Sequence, residues 1–233
     1  MSILFQAGTI TGLLQGVYDG DINFRQLAQH GDIGLGTFNG VDGEMIALDG
    51  VFYHMNKTGL AEKVNSEKLT PFSLVSFYKP TLTFSIEKVN NCEELNQLIM
   101  ARLPTKNIFY MIRTEASIDQ VKLRSEGCQT LPYKPLVEAL STTGYAFELS
   151  QLKGTLVTTW CPNYSAGITI PGFHHHFINQ DKTHGGHLFD VKLHDAQVTV
   201  TPLRQINMLL INSHEFDMAN LDIDTTALLK KTE

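Results

Sequence analysis

The sequence predicts an α+β fold: strand-rich, with few helices, made of two closely packed subdomains of mixed or antiparallel β-sheet. Three observations lead there. Short runs of apolar and β-branched residues recur along the chain, punctuated by turn dipeptides such as Asp42-Gly43 and Asp49-Gly50. Only two segments carry clear helix signals. The second half contains a histidine-bearing hairpin between Pro171 and Asp190. At 233 residues the chain can build one large domain or two intimately packed smaller ones, each with an apolar core.

The elements follow in order. Ile33 to Phe38 and Glu44 to Leu48 flank the turn residues Asn39-Gly40-Val41-Asp42-Gly43, and Asp49-Gly50 leads into Val51 to Met55, a meander of short strands. Phe72 to Tyr78 and Leu82 to Val89 are two further strands around Lys79-Pro80. Asn91 is suited to cap a helix from Cys92 to about Arg102, with Leu95, Leu98 and Ile99 at helical spacing and Pro104 beyond its end. Asn107 to Thr114 and Ser117 to Leu123 read as a strand pair, and Pro135 as the first turn of a short helix, Leu136 to Leu140, ending near Gly144. The second half continues with strands at Tyr145 to Leu149, Thr155 to Trp160, Gly167 to Ile170, the histidine hairpin, Gln197 to Thr201 and Ile206 to Leu210; Asp217 to Glu233 fits either a helix or an extended tail. Gly, Pro and polar residues cluster between Gly127 and Pro135, which suggests an N-terminal β-rich subdomain over 1–127 and a C-terminal β subdomain with the histidine hairpin over 128–233, together one compact unit.

Composition narrows the function. A net charge of −6 without a dense basic cluster argues against nucleic acid or an anionic membrane surface as the main partner. No apolar stretch approaches the length of a membrane span, and Met1 to Gln6 lacks the basic start of a secretory signal, so a cytoplasmic location is expected. Cys92, Cys128 and Cys161 are odd in number and widely spaced, forming neither a disulfide framework nor a thiolate zinc knuckle.

The hairpin carries the chemistry. Side chains alternate along a strand, so in Gly172-Phe173-His174-His175-His176-Phe177 the imidazoles of His174 and His176 share one face and His175 takes the other. The polar stretch Asn179 to Gly186 suits a turn that returns the chain antiparallel and brings His187 beside the pair. Three converging imidazoles with no thiolate nearby match an open, catalytic type of metal site rather than a closed structural one. Imidazole alone does not distinguish zinc from copper, iron or nickel. His184 lies in the loop, and His30, His54, His194 and His214 lack comparable neighbours. Gly34-Leu35-Gly36-Thr37-Phe38-Asn39-Gly40 imitates a dinucleotide loop, but its third glycine is displaced and hairpin signals follow instead of a helix.

A metal with an open position needs partners that orient substrate and move protons. Glu44, at the start of an apolar strand, is the first acid candidate, and Thr37 is a candidate hydrogen-bonding group. Arg124 and Arg113 are equally placed to pair with a carboxylate. Residue chemistry leaves open a cupin-like metal hydrolase or oxygenase, and a non-catalytic metal-binding protein.

Taken together, these segments resemble the α-acetolactate decarboxylase family over nearly the whole chain. The resemblance rests on Gly34 to Phe38 with Asp42 to Ile46, on Phe109 to Arg113, on Val121 to Ser125, and above all on Gly172 to Phe177 with Gly185-Gly186-His187. It implies a lyase that converts 2-acetolactate to acetoin and carbon dioxide, with His174, His176 and His187 as ligands of a divalent metal, zinc foremost. It implies catalytic roles for Glu44, Arg124 and Glu233, and a substrate-binding role for Thr37. Arg124 is thereby preferred over Arg113. The residue between the ligand histidines, commonly apolar in the family, is His175 here. The expected partners are a small-molecule substrate and a second copy of the chain.

Overall fold

The structure, a computed structural model, describes residues 2–232; Met1 and Glu233 lie outside the described residues. The first part of the chain runs β1 (Ile3–Ala7), α1 (Ile10–Leu14), β2 (Ile22–Asn23), α2 (Phe24–Leu27), β3 (Ile33–Thr37), β4 (Glu44–Leu48), β5 (Val51–Met55), β6 (Ala61–Lys63), β7 (Leu69–Thr70) and β8 (Ser73–Ser76). It continues through β9 (Leu82–Val89), α3 (Cys92–Met100), β10 (Phe109–Glu126), α4 (Leu136–Thr143), β11 (Gly144–Cys161), β12 (Gly172–Asn179) and β13 (Gly185–Leu203). It closes with β14 (Gln205–Leu209), α5 (His214–Met218) and α6 (Thr226–Thr232). Among the described residues no helix is long and apolar enough to cross a membrane.

Two main sheets result. The first has the order β14-β1-β8-β3-β4-β5-β6, antiparallel except for the parallel β1–β14 pair. The second has the order β10-β11-β12-β13-β9, with β10 also paired to β13, so that β12 bridges β11 and β13 and one end closes on itself. A boundary at 127/128 falls between β10 and β11, hydrogen-bonded neighbours of the second sheet, while β14 returns to the first.

Strand alternation sets the layers. On β4, Met45 and Ala47 face outward to Phe24 and Leu27 of α2, while Ile46 and Leu48 face the second sheet. The core between the sheets joins Ile33 and Ile46 to Met111, Val157, Ile178 and Leu203, with Leu13 of α1 and Leu136 of α4. The far face of the second sheet packs on Leu95 and Ile99 of α3. As expected, Asn91 caps α3, its side chain accepting from the Glu94 N–H.

Three local expectations need correction. Residues 109–126 form one strand of 18 residues rather than a pair: its register with β13 shifts between Glu115 and Ser117, Ile118 and Gln120, and Lys122 and Leu123, and the shift between Ile118 and Gln120 breaks the alternation without breaking the strand. Residues 144–161 are likewise one strand, curving with β10. Gly167 to Ile170 is not a strand. Gly167 has a φ of +85°, and the carbonyls of Gly167 and Ile168 accept the first N–H groups of α1, satisfying donors that a helix leaves unpaired.

Gly34 and Gly36, the imitation dinucleotide loop, lie inside β3. A Cβ at Gly36 would stand 2.4 Å from the Phe72 carbonyl oxygen, so these glycines allow β3 and β8 to approach closely.

Candidate metal centre and its cleft

The hairpin forms as the sequence predicts. In the β12–β13 register His176 stands opposite His187, and His174 lies two residues along the same face. All three are buried, at 6%, 1% and 3% exposure. Their ring centroids are 4.9 to 5.6 Å apart, and one ligand atom from each lies within 4.8 Å of the others. His174 Nε2 and His187 Nδ1 are 3.1 Å apart, close enough for one N–H to donate to the other lone pair.

Burial, with the neighbouring imidazoles and Arg124, holds His174 well below the ordinary histidine range. Burial and Arg124 do the same to His187, and burial brings His176 down to about 4. The three rings are therefore neutral at pH 7 and present lone pairs, the form in which imidazole binds metal.

His176 is oriented from the opposite sheet. Its Nδ1–H donates to the Met45 carbonyl at 2.9 Å, which leaves Nε2 as a lone pair pointing at Glu44 Oε2, 3.1 Å away. Two acceptors facing each other at that distance call for a proton or a cation between them. The donor set thus fits a divalent metal held by three neutral nitrogens.

His175 faces the other way. Its Nε2–H donates to Asn96 Oδ1 of α3 at 2.9 Å, while Nδ1 accepts from the Thr158 hydroxyl at 2.7 Å. Burial brings its pKa to about 3. It is a satisfied core histidine, filling a position that would otherwise leave Asn96 and Thr158 without this partner.

The cluster opens into a cleft between the two sheets with about 460 Å³ of empty space, part of it open to solvent. Thr37 and Glu44, paired in the β3–β4 register, line it from the first sheet. The Thr37 hydroxyl donates to the Gly43 carbonyl at 2.6 Å. Arg124, opposite His187 in the β10–β13 register, lines it from the second. The guanidinium carbon lies 5.0 Å from the Phe189 ring centroid, within cation–π range. Arg113 is elsewhere, bonded to Asp49 and Glu115 at 2.6 and 2.7 Å. Most of the remaining wall is apolar: Ile10 and Leu13 of α1, Leu136 and Leu140 of α4, with Val41, Phe72 and Ile170. Glu233 lies outside the described residues.

One residue of the cleft was not anticipated from sequence. Glu126, two positions after Arg124 on β10, is 3% exposed and lines the same space. Its carboxyl hydrogen-bonds that of Glu44, and its Oε2 is 3.8 Å from Arg124 Nε. Burial pushes Glu126 above the usual carboxylate range, Asp42 adds to that, and Arg124 and Glu44 pull it back. The available signal was its i, i+2 spacing from Arg124, which puts both on one strand face.

The alpha-acetolactate decarboxylase family matches residues 4–223. The alpha-acetolactate decarboxylase of Bacillus subtilis is 38% identical over 222 residues, covering 95% of this chain and 87% of that protein. That of Methanosarcina mazei is 38% identical over 233 residues, covering 99% and 80%. A crystal structure of acetolactate decarboxylase from Bacillus subtilis subspecies spizizenii superimposes with a TM-score of 0.95 at 39% identity, covering 99% of both chains. A Staphylococcus aureus structure at 24% identity, with a TM-score of 0.91, has the same fold. The chain belongs to the alpha-acetolactate decarboxylase family of carboxy-lyases.

Proposed function

We propose that this protein decarboxylates 2-acetolactate to acetoin and carbon dioxide, and so serves acetoin biosynthesis. The observation that carries this reading is the shared cleft: three neutral, converging histidines face a guanidinium and a carboxyl across a small space with apolar walls. The substrate matches such a cleft in kind, with one carboxylate, two neighbouring oxygens and two methyl groups. His174, His176 and His187 would hold a divalent metal, which we assign as zinc; when bound, it supplies Lewis acidity for the substrate's hydroxyl and ketone oxygens.

The chain's own residues do the rest. Arg124 receives the substrate carboxylate, the natural match for a guanidinium fork, and Thr37 orients the substrate from the opposite sheet. As the bond to the carboxylate breaks, carbon dioxide leaves and the electron pair moves into the former ketone, giving an enediolate. Glu44 then donates a proton to the carbon that lost the carboxylate. Glu233 is assigned as a second carboxyl group in this proton transfer. One proton is consumed per turnover and is restored from solvent. The apolar side chains of α1 and α4 cover the methyl groups and limit access of water. We assign the working form as a cytoplasmic homodimer.

The test is direct. Metal-loaded protein is incubated with racemic 2-acetolactate, with carbon dioxide and acetoin followed before and after chelation. Acetoin formation that a chelator abolishes and zinc restores is expected; no chelator-sensitive acetoin refutes the reading.

A further inference from the structure

We propose that Glu126 is a positioning residue of this site, holding the Glu44 carboxyl and the Arg124 guanidinium in their working places from a single point on β10. The inference rests on the decarboxylase reading and adds a residue to it.

Placement is the first ground. Residues 124 and 126 share one face of β10, and both line the cleft. Glu126 is 3% exposed, and a buried carboxyl is costly to keep unless something local needs it. Its two polar neighbours in the cleft are the groups assigned to substrate binding and proton transfer.

The contacts differ in kind. With Glu44 the contact is a hydrogen bond between two carboxyl groups, which requires a proton between them and fixes the plane of the Glu44 group. The same Glu44 presents Oε2 to His176 Nε2 at 3.1 Å, so the group that Glu126 bonds is the one that faces the histidine cluster. With Arg124 the contact is looser. Glu126 Oε2 and Arg124 Nε are both buried, 3.8 Å apart, and neither has a hydrogen-bond partner among the described residues. That distance suits an ion pair but is too long for a hydrogen bond. Arg124 is therefore steered, between Glu126 and the ring of Phe189, without being tied down as Arg113 is by Asp49 and Glu115. A guanidinium held in this way can still turn its donors to an incoming carboxylate.

The experiment compares Glu126→Met and Glu126→Gln with the wild-type metal-loaded enzyme, reading kcat, KM, metal content and melting midpoint. Methionine has a similar size but neither charge nor a strong hydrogen-bonding group, so it suits a buried position. Expected for Glu126→Met is a kcat at least about tenfold lower with full metal content and a melting point equal to or above that of the wild type. Glutamine keeps a bond to Glu44 but loses the charge facing Arg124. For Glu126→Gln, kcat should stay within about threefold while KM rises at least about threefold. Wild-type kinetics in Glu126→Met, or a loss that merely follows lost stability or lost metal, overturns the proposal. If Glu126→Met does not fold, Glu126→Gln decides alone: kcat and KM both unchanged overturn the proposal, and the split supports it. A wild-type enzyme inactive on 2-acetolactate would instead refute the decarboxylase reading itself.

Discussion

Acidifying the metal-free protein should unfold it well before its carboxylates are neutralised. Four histidines, 174, 175, 176 and 187, are buried in the neutral form, with pKa values below the 6.5 of an unfolded chain. Below that pH the unfolded state takes up protons that the native state refuses, so stability falls as pH falls. The loss begins near 6.5 and levels off near about 4 for His176 and about 3 for His175. Between pH 7 and 5 each such histidine costs about 2 kcal/mol, or on the order of 8 kcal/mol for four. Glu126 works in the opposite sense. Its raised pKa means that the native state takes up a proton at a higher pH than the unfolded state does, which offsets part of that loss. The net loss, several kcal/mol, is comparable with the whole stability of many domains. The assay is urea unfolding of chelator-treated protein at the two pH values, followed by circular dichroism. A midpoint lower by roughly 2 M at pH 5 is expected from a slope near 2.5 kcal/mol/M. An unchanged midpoint would mean that the imidazoles are already charged or solvated in the native protein, and the argument for lone pairs aimed at a metal would fall with it.

Other substitutions separate the residues by role. His187→Ala should reduce bound metal to less than about a tenth of the wild-type content, measured by plasma emission, while far-ultraviolet circular dichroism stays the same. His175→Ala should leave metal content unchanged yet cost about 2–3 kcal/mol in urea unfolding, because Asn96 and Thr158 lose their partner and a cavity opens beneath β12. Glu44→Gln should retain metal and lower kcat by about 10²–10⁴ in the acetoin assay. Gly36→Ala forces a methyl group against the Phe72 carbonyl and Ser73 Cα; a loss of about 1–3 kcal/mol, read as a lower melting temperature, follows if β3 and β8 cannot separate.

The histidine cluster was legible in the sequence because its geometry is local. Alternation puts His174 and His176 on one face, the glycine-rich return sets the register, and the β12–β13 pairing places His187 opposite His176. The meander β3-β4-β5 and the cap of α3 were readable for the same reason, since each depends on residues within a few positions. The long strands were not. An extra residue in β10 between Ile118 and Gln120 shifts the facing residues, so one continuous strand reads as two short ones. The β14–β1 pairing joins Ile3–Ala7 to residues about two hundred positions away, beyond any local signal. Glu126 was missed because a glutamate before Gly127 in a polar stretch reads as a solvated turn; only the docking of the first sheet buries it against Glu44. Arg113 and Arg124 look alike in sequence, and what separates them is that surface acids claim the first while the second reaches the cleft.

The bond from His176 to the Met45 carbonyl has a consequence for how the protein matures. The three histidines come from one sheet, but the group that aims the middle ring, and the carboxyl beside it, come from the other. A chain whose sheets have formed but not yet met would carry all three imidazoles without the means to hold His176 in a single tautomer and direction. High-affinity metal uptake should therefore be a late event, coincident with closure of the two halves rather than preceding it. On the proposed reading, metal capture would then act as a quality mark: molecules that have completed assembly would retain the ion, and those that have not would lose it.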